Sequence, residues 1–141
     1  MLIGVVCAGL NNEIGYNNKC CFRIDEDRKF FRELIKNQIV VVGKVTYDTI
    51  PKSVLKHCKH VHVLSSINPI PDEYITCDYP VYVIGGAKVY KSLENVTKEY
   101  YVTRVYDKCI ADAFFMVDLS VYPHADTIQS GDKYVITKFR K

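Results

Sequence analysis

Residues 39–50 read Ile-Val-Val-Val-Gly-Lys-Val-Thr-Tyr-Asp-Thr-Ile, and residues 81–90 read Val-Tyr-Val-Ile-Gly-Gly-Ala-Lys-Val-Tyr. In each stretch a short, wholly apolar run meets glycine and passes into a segment with helical spacing. Runs of that kind suit strands buried on both faces, as in parallel sheets. The neighbouring sequence continues the alternation. Leu2–Leu10 predicts a buried strand, 11–23 a polar loop with a lone Gly15, and Asp25–Asn37 a helix. Ile39–Val42 predicts a strand, Lys44–Ile50 a short helix closed by Pro51, and His60–Leu64 a strand leading into a turn with Pro69 and Pro71. Val81–Ile84 is a further strand, Lys88–Leu93 a helix, and Glu99–Val105 a strand. Thr127–Gln129 and Tyr134–Phe139 form a hairpin around Ser130-Gly131-Asp132. Strands separated by helices require right-handed crossovers. The expectation is an α/β fold over residues 1–141. It would be a single three-layer domain, with a mostly parallel central sheet and an antiparallel C-terminal hairpin at its edge.

Size and composition agree with this and narrow the function. A chain of 141 residues, 48% hydrophobic and 25% charged, can bury a core and is neither disordered nor fibrous. A net charge of +3 with no basic run favours small anionic ligands over nucleic acid. Leu2–Leu10 is too short to span a bilayer and lacks a basic leader, so a cytoplasmic chain without a membrane partner is expected. The six cysteines form no Cys-x-x-Cys pair, and reduced thiols follow. His57-Cys58-x-His60-x-His62 has no accompanying carboxylate or second cysteine cluster, so no metal site is expected.

One acid stands out on the first helix. At about 100° per residue, Phe30, Phe31, Leu34 and Ile35 form an apolar stripe, and Asp27 falls within about 10° of its centre. Asp25 and Glu26 lie more than about 100° away and complement the helix dipole. A carboxylate on the core side is costly unless it meets donors or a cation, which marks Asp27 as a candidate site residue. The two strand–glycine–helix junctions supply a complementary half. Each presents free backbone N–H groups with a lysine alongside, Lys44 or Lys88, and two such seats suit a pyrophosphate. Neither matches Gly-x-Gly-x-x-Gly or a P-loop, which disfavours the usual dinucleotide and ATP folds.

In order and spacing these features resemble the dihydrofolate reductase family from Met1 to the C-terminal hairpin. The likeness is carried by Ile14-Gly15, Asp27 with Phe31, Val42-Gly43-Lys44-x-Thr46-Tyr47-x-x-Ile50 and Leu64-Ser65-Ser66. It continues through Ile84-Gly85-Gly86-Ala87-Lys88-Val89-Tyr90, Tyr101-x-Thr103 and Asp112. The resemblance implies NADPH-dependent reduction of dihydrofolate, with hydride passing to pterin C6 and a proton to N5. Asp27 then corresponds to the catalytic carboxylate that accepts from the pterin's 2-amino and N3 edge. Thr103 corresponds to the hydroxyl that supports it. Val5, Cys7, Phe31, Ile50, Ile84 and Tyr90 would line the slot for the rings. Cys7, Ile14, Gly15, Ile84 and Gly85 would lie along the cofactor. Gly43, Lys44, Val45 and Thr46 would seat the pyrophosphate together with Gly86, Ala87, Lys88, Val89 and Tyr90. Leu64, Ser65 and Ser66, with Lys44, would meet the 2′-phosphate. The Gly85–Gly86 bond is cis in the family, and the loop 11–23 would be a lid over the nicotinamide.

The chain also departs from the family. Cys21-Phe22 replaces the usual Pro-Trp, and there is no tryptophan at all. The stretch between Ser66 and Val81 is short enough to suggest a missing helix. The arginine that grips the substrate's glutamate is absent. Lys59 aligns nearest, with Lys52, Lys56 and His57 close by, and lysine cannot make the planar two-pronged contact. A monomer acting on a small molecule is expected. Two alternatives share the fold: a pyrimidine reductase of riboflavin biosynthesis, which has no need of an acid at position 27, and a catalytically weak dinucleotide-binding scaffold protein.

Overall fold

The structure is a computed structural model describing residues 1–141. In chain order it comprises β1 (Leu2–Ala8), β2 (Glu13–Tyr16), β3 (Lys19–Cys20), α1 (Asp25–Ile35), β4 (Ile39–Gly43), α2 (Lys44–Thr49), α3 (Lys52–Leu55) and β5 (His60–Leu64). There follow α4 (Asp72–Thr76), β6 (Val81–Val83), α5 (Ala87–Ser92), β7 (Thr97–Val105), β8 (Ala113–Phe114), a 3₁₀ turn at Leu119–Val121, β9 (His124–Ser130) and β10 (Tyr134–Arg140). Seven strands form the main sheet in the order β5-β4-β6-β1-β7-β10-β9. The ladders from β5 to β7 are parallel, and β10 and β9 close the edge antiparallel.

Alternation along the central strands builds a core on each face. Leu2 and Val6 of β1, Val41 of β4, and Val81 and Val83 of β6 point to one side. There they meet Tyr74 of α4, Val89, Tyr90 and Leu93 of α5, and the rings of Tyr100, Phe115 and Tyr122. Ile3, Val5, Val40, Val42 and Tyr82 point to the other side, where Ile35 of α1 and Leu55 of α3 cover them. Layers of helix therefore lie on both faces of a sheet that is mostly parallel, as the sequence pattern predicts.

The boundaries differ in informative ways. Helix α1 ends at Ile35, two residues before the predicted end, because Lys36 is extended and Asn37 has φ of 60°. The short stretch between Ser66 and Val81 contains one brief helix, α4, which the strand-and-turn reading of the sequence did not mark. Pro71 caps α4, Asp72 and Glu73 occupy its first turn, and Tyr74 is buried beneath it. Pro51 closes α2 but also opens α3, a turn the sequence reading left out. The supposedly open loop 11–23 carries β2 and β3, which pair with β8 in a second, three-stranded sheet.

Candidate functional site

Asp27 is half-buried in the first turn of α1, beneath two strands of the main sheet. Cys7 of β1 and Thr103 of β7 are register partners, so their side chains occupy a single rung. The Thr103 hydroxyl donates to Asp27 Oδ1 at 2.5 Å, and the Cys7 thiol on the same rung lies near enough to this carboxylate to favour its charged form. Burial raises the Asp27 pKa, and the Thr103 hydrogen bond, the Cys7 thiol and the nearby Arg28 charge only partly offset it. The Cys7 thiol is pushed well above its usual value, by burial first and then by the Asp27 charge.

Around the acid the walls are apolar. Val5, Ile84, Phe31 and Ile50 share one apolar cluster with Tyr47 and Val54. Tyr90 is buried, and its hydroxyl donates to the Val5 carbonyl at 2.5 Å, which ties α5 to β1. Val5, Phe31, Ile50 and Ile84 belong to the core on the α1 side of the sheet, whereas the Tyr90 ring packs in the core on the other side.

The two glycine junctions meet one another. Gly43 N–H donates to the Gly85 carbonyl at 2.7 Å, and the Gly85–Gly86 peptide is cis. A Cβ on Gly43 would fall 2.8 Å from Val89 Cγ2, and one on Gly86 would fall 2.9 Å from Thr46 Oγ1. Neither residue can offer a capping side chain, so the first-turn N–H groups of α2 and α5, including those of Lys44, Val45, Ala87 and Lys88, have no side-chain cap. Gly43 pairs with Leu64 across β4 and β5, so Lys44 and Ser65 leave the sheet side by side. Ser65 and Ser66 are exposed in the turn that Ser65 and Asn68 close. Lys44 already forms an exposed ion pair with Asp48 at 2.8 Å.

Ile14 and Gly15 lie on β2, which holds them more firmly than a free loop would. Ile14 packs on the core, and Gly15 pairs with Cys20 and Ala113. Asp112 N–H donates to the Gly15 carbonyl at 3.0 Å, and Asp112 Oδ2 accepts from Asn17 N–H at 3.1 Å. Glu13 escapes a reading of the sequence alone. It is only 2% exposed, and alternation along β2 is too brief to reveal an inward-facing acid.

A second group was visible in the sequence only through His57. Between α1 and α3 a cavity of about 150 Å³ is lined by Arg32, Lys36, His57, Val54 and Cys58 among others. Lys59 is not one of its lining residues. It precedes β5, at the end of that strand away from Leu64, and its N–H donates to the Gln38 carbonyl at 2.9 Å. Arg32 was legible only as one charge on a surface helix. No group of three or more His, Cys, Asp or Glu side chains is arranged to hold a metal ion, and no helix is long and apolar enough to cross a membrane.

Fold and site together define a class: a mostly parallel α/β protein with one half-buried carboxylate in the first turn of α1 and two glycine-marked helix starts that meet. The family model for dihydrofolate reductase matches residues 1–137, and the chain belongs to that family. Dihydrofolate reductase from Buchnera aphidicola subsp. Acyrthosiphon pisum is 28% identical over 129 residues, covering 84% of this chain and 80% of the relative. The enzyme of the same name from Buchnera aphidicola subsp. Schizaphis graminum is 30% identical over 128 residues, covering 82% and 79%. That from Ureaplasma parvum serovar 3 is 26% identical over 143 residues, covering 86% and 91%. The family is one of oxidoreductases that use a nicotinamide dinucleotide. The residues here fit such a group, because the cradle at Gly43 and Gly86 would be filled by any Cβ and two uncapped helix starts adjoin it.

Proposed function

We propose that the chain reduces 7,8-dihydrofolate to 5,6,7,8-tetrahydrofolate with NADPH. The observation that carries this is the half-buried Asp27 carboxylate, braced by Thr103 on the rung it shares with Cys7 and set on the apolar side of α1. A carboxylate so placed can accept two parallel donors from a flat heterocycle, and few ligands other than a 2-amino-4-oxo ring offer them. Val5, Phe31, Ile50 and Ile84 hold the ring by contact and exclude water. Ile14, Gly15 and the two glycine junctions hold the dinucleotide.

The bound cofactor supplies the hydride. Asp27 orients the ring, and its negative field favours a protonated ring at the position that receives the proton. No side chain of the chain acts as a base on that nitrogen. Preference for NADPH rests on Lys44, Ser65 and Ser66, which leave the sheet together at the ends of β4 and β5. The substrate's carboxylate tail is drawn to the basic mouth between α1 and α3, where Arg32 can make the planar contact that Lys59 cannot. Residues 1–141 act as a single domain and a monomer in the cytoplasm, on a small molecule, without nucleic acid or membrane.

The test is spectrophotometric. NADPH oxidation should be stoichiometric with dihydrofolate consumed, and NADH should serve with about tenfold lower kcat/KM at low salt. Binding of NADPH without turnover would instead support the scaffold alternative. Turnover of a ribosylated aminopyrimidine but not dihydrofolate would support the pyrimidine reductase.

A further inference from the structure

Glu13 is a buried acid that the proposed chemistry does not use. Its Oε1 accepts from Asn11 N–H at 2.6 Å, and its Oε2 accepts from Cys109 N–H at 3.0 Å. The two donors belong to loops far apart in sequence, one after β1 and one after β7. Arg104, the neighbour of Thr103 on β7, adds a second set of ties. Its Nη1 donates to the Gly9 carbonyl at 2.7 Å and to Asn12 Oδ1 at 2.8 Å. Asn12 stands at φ of 65° in the tight turn so held, and Leu10 N–H donates to the Asp107 carbonyl at 2.9 Å.

We propose that Glu13 is a positioning residue: its carboxylate clips residues 9–12 to residues 107–109 and so fixes Ile14 and Gly15, the next two residues, at the cofactor. This rests on the assignment of Ile14 and Gly15 to the dinucleotide made above. A buried carboxylate that merely filled space would be replaced at gain by an apolar residue. This one spends each oxygen on a different loop, which is the arrangement that sets where one loop sits against the other. The clip is also separate from Asp112, which ties Gly15 and Asn17 on the outer side of the small sheet. Glu13 is only 2% exposed, so salt should screen it less than the exposed Lys44 contact.

The experiment compares wild type with Glu13→Gln by calorimetric titration of NADPH and by amide hydrogen exchange of the ligand-free protein. The glutamine keeps the shape and one acceptor but turns an NH₂ toward a backbone N–H. Expected are a Kd for NADPH weaker by about tenfold, faster exchange at residues 9–16 and 107–110, and unchanged kcat at saturating NADPH. The KM for dihydrofolate and the pH profile set by Asp27 should not move, and the ratio of Kd values should change little between low and high salt. An NADPH Kd within about twofold of wild type, with or without a lower melting temperature, overturns the proposal and leaves Glu13 a stability residue. Should Glu13→Gln fail to fold, Glu13→Asp keeps the charge but shortens the reach to the N–H groups of Asn11 and Cys109. It is read in the same way: weaker NADPH binding supports the clip, and unchanged binding overturns it. Wild type that binds NADPH without reducing dihydrofolate counts against the proposed function and not against the clip; wild type that does not bind NADPH overturns both.

Discussion

Two carboxylates in this protein are withdrawn from water and end with opposite acidities. Glu13 is almost wholly buried. Burial alone would raise its pKa, but backbone N–H groups, including those of Cys109 and Asn11, outweigh that and bring it below the usual value. Asp27 keeps more exposed surface but is set deeper, and its pKa is raised, because the hydrogen bonds that favour its charge and the Arg28 charge do not match the loss of water. Both depth and donors separate them: Glu13 is covered but shallow and meets several backbone N–H groups, whereas Asp27 is set deeper with fewer donors. Glu13 has committed both oxygens to the protein's own backbone and has nothing left for a ligand. Asp27 has spare acceptor capacity on the apolar side of α1, which is the condition for a group that works on something other than its own fold.

The strongest way to break this contrast is Asp27→Asn. The variant should fold and lose about a hundredfold or more of its activity at neutral pH, with residual rate rising as pH falls. Stability should move the other way. A folded pKa above the unfolded one means the native state holds its proton longer. Ionising Asp27 therefore lowers stability as pH rises from the unfolded to the folded value, and the deficit persists above that. Asparagine escapes it, so the variant should melt no lower than wild type at neutral pH and about as wild type in acid. Melting curves and a pH–rate profile measure both. A flat profile identical in the two proteins would remove Asp27 from the chemistry.

Glu13→Gln should show the mirror image in stability. With a folded pKa below the unfolded one, ionised Glu13 contributes stability above the unfolded value and loses it as pH falls through the folded value. The variant should therefore melt below wild type at neutral pH, by several degrees for a chain of this size, and the gap should close on acidification. A gap that stays constant with pH would mean that shape, and not charge, holds the two loops.

Asp27 could be found from sequence because helical geometry is regular enough to place residue 27 on the stripe of Phe31, Leu34 and Ile35. The glycine junctions were legible for the same reason: strand, glycine and helix follow within a few residues. Glu13 was not, since β2 is only four residues long and its orientation is set by pairing with β8, a strand some hundred residues away. Arg32 was missed for a related reason. The cavity it lines is completed by residues 53–58, and the sequence reading assigned no element between Pro51 and His60. Local periodicity reveals which face an acid takes on a long helix, whereas a partner distant in sequence stays invisible to it.

Salt separates buried from exposed charge and gives a third, smaller test. Arg32→Ala should raise KM for dihydrofolate several-fold with kcat nearly unchanged, as when uniform binding is lost, and the effect should shrink as ionic strength rises. Lys59→Ala should change KM less, because Lys59 does not line the cavity. A larger effect from Lys59 than from Arg32 would return the tail to the residue that sequence alignment favours.

The finest adjustment of the contrast lies in Cys7. If Asp27 is raised because its donors are too few and too weak, then removing one should push it further from Glu13, and strengthening one should draw it back. A net hydrogen bond is worth about 0.5–1.5 kcal/mol, one pKa unit corresponds to about 1.36 kcal/mol, and a thiol is a weak donor. Cys7→Ala should therefore move the Asp27 inflection in the kcat/KM profile upward by only about 0.3 to 0.5 of a pH unit. Cys7→Ser, with a better donor on the same rung as Thr103, should move it downward by a similar amount. The opposite signs are what make so small an effect decisive, since a change in packing alone would shift both variants the same way. Equal displacement in alanine and serine would show that Cys7 acts on Asp27 through volume, and that Thr103 alone braces the acid.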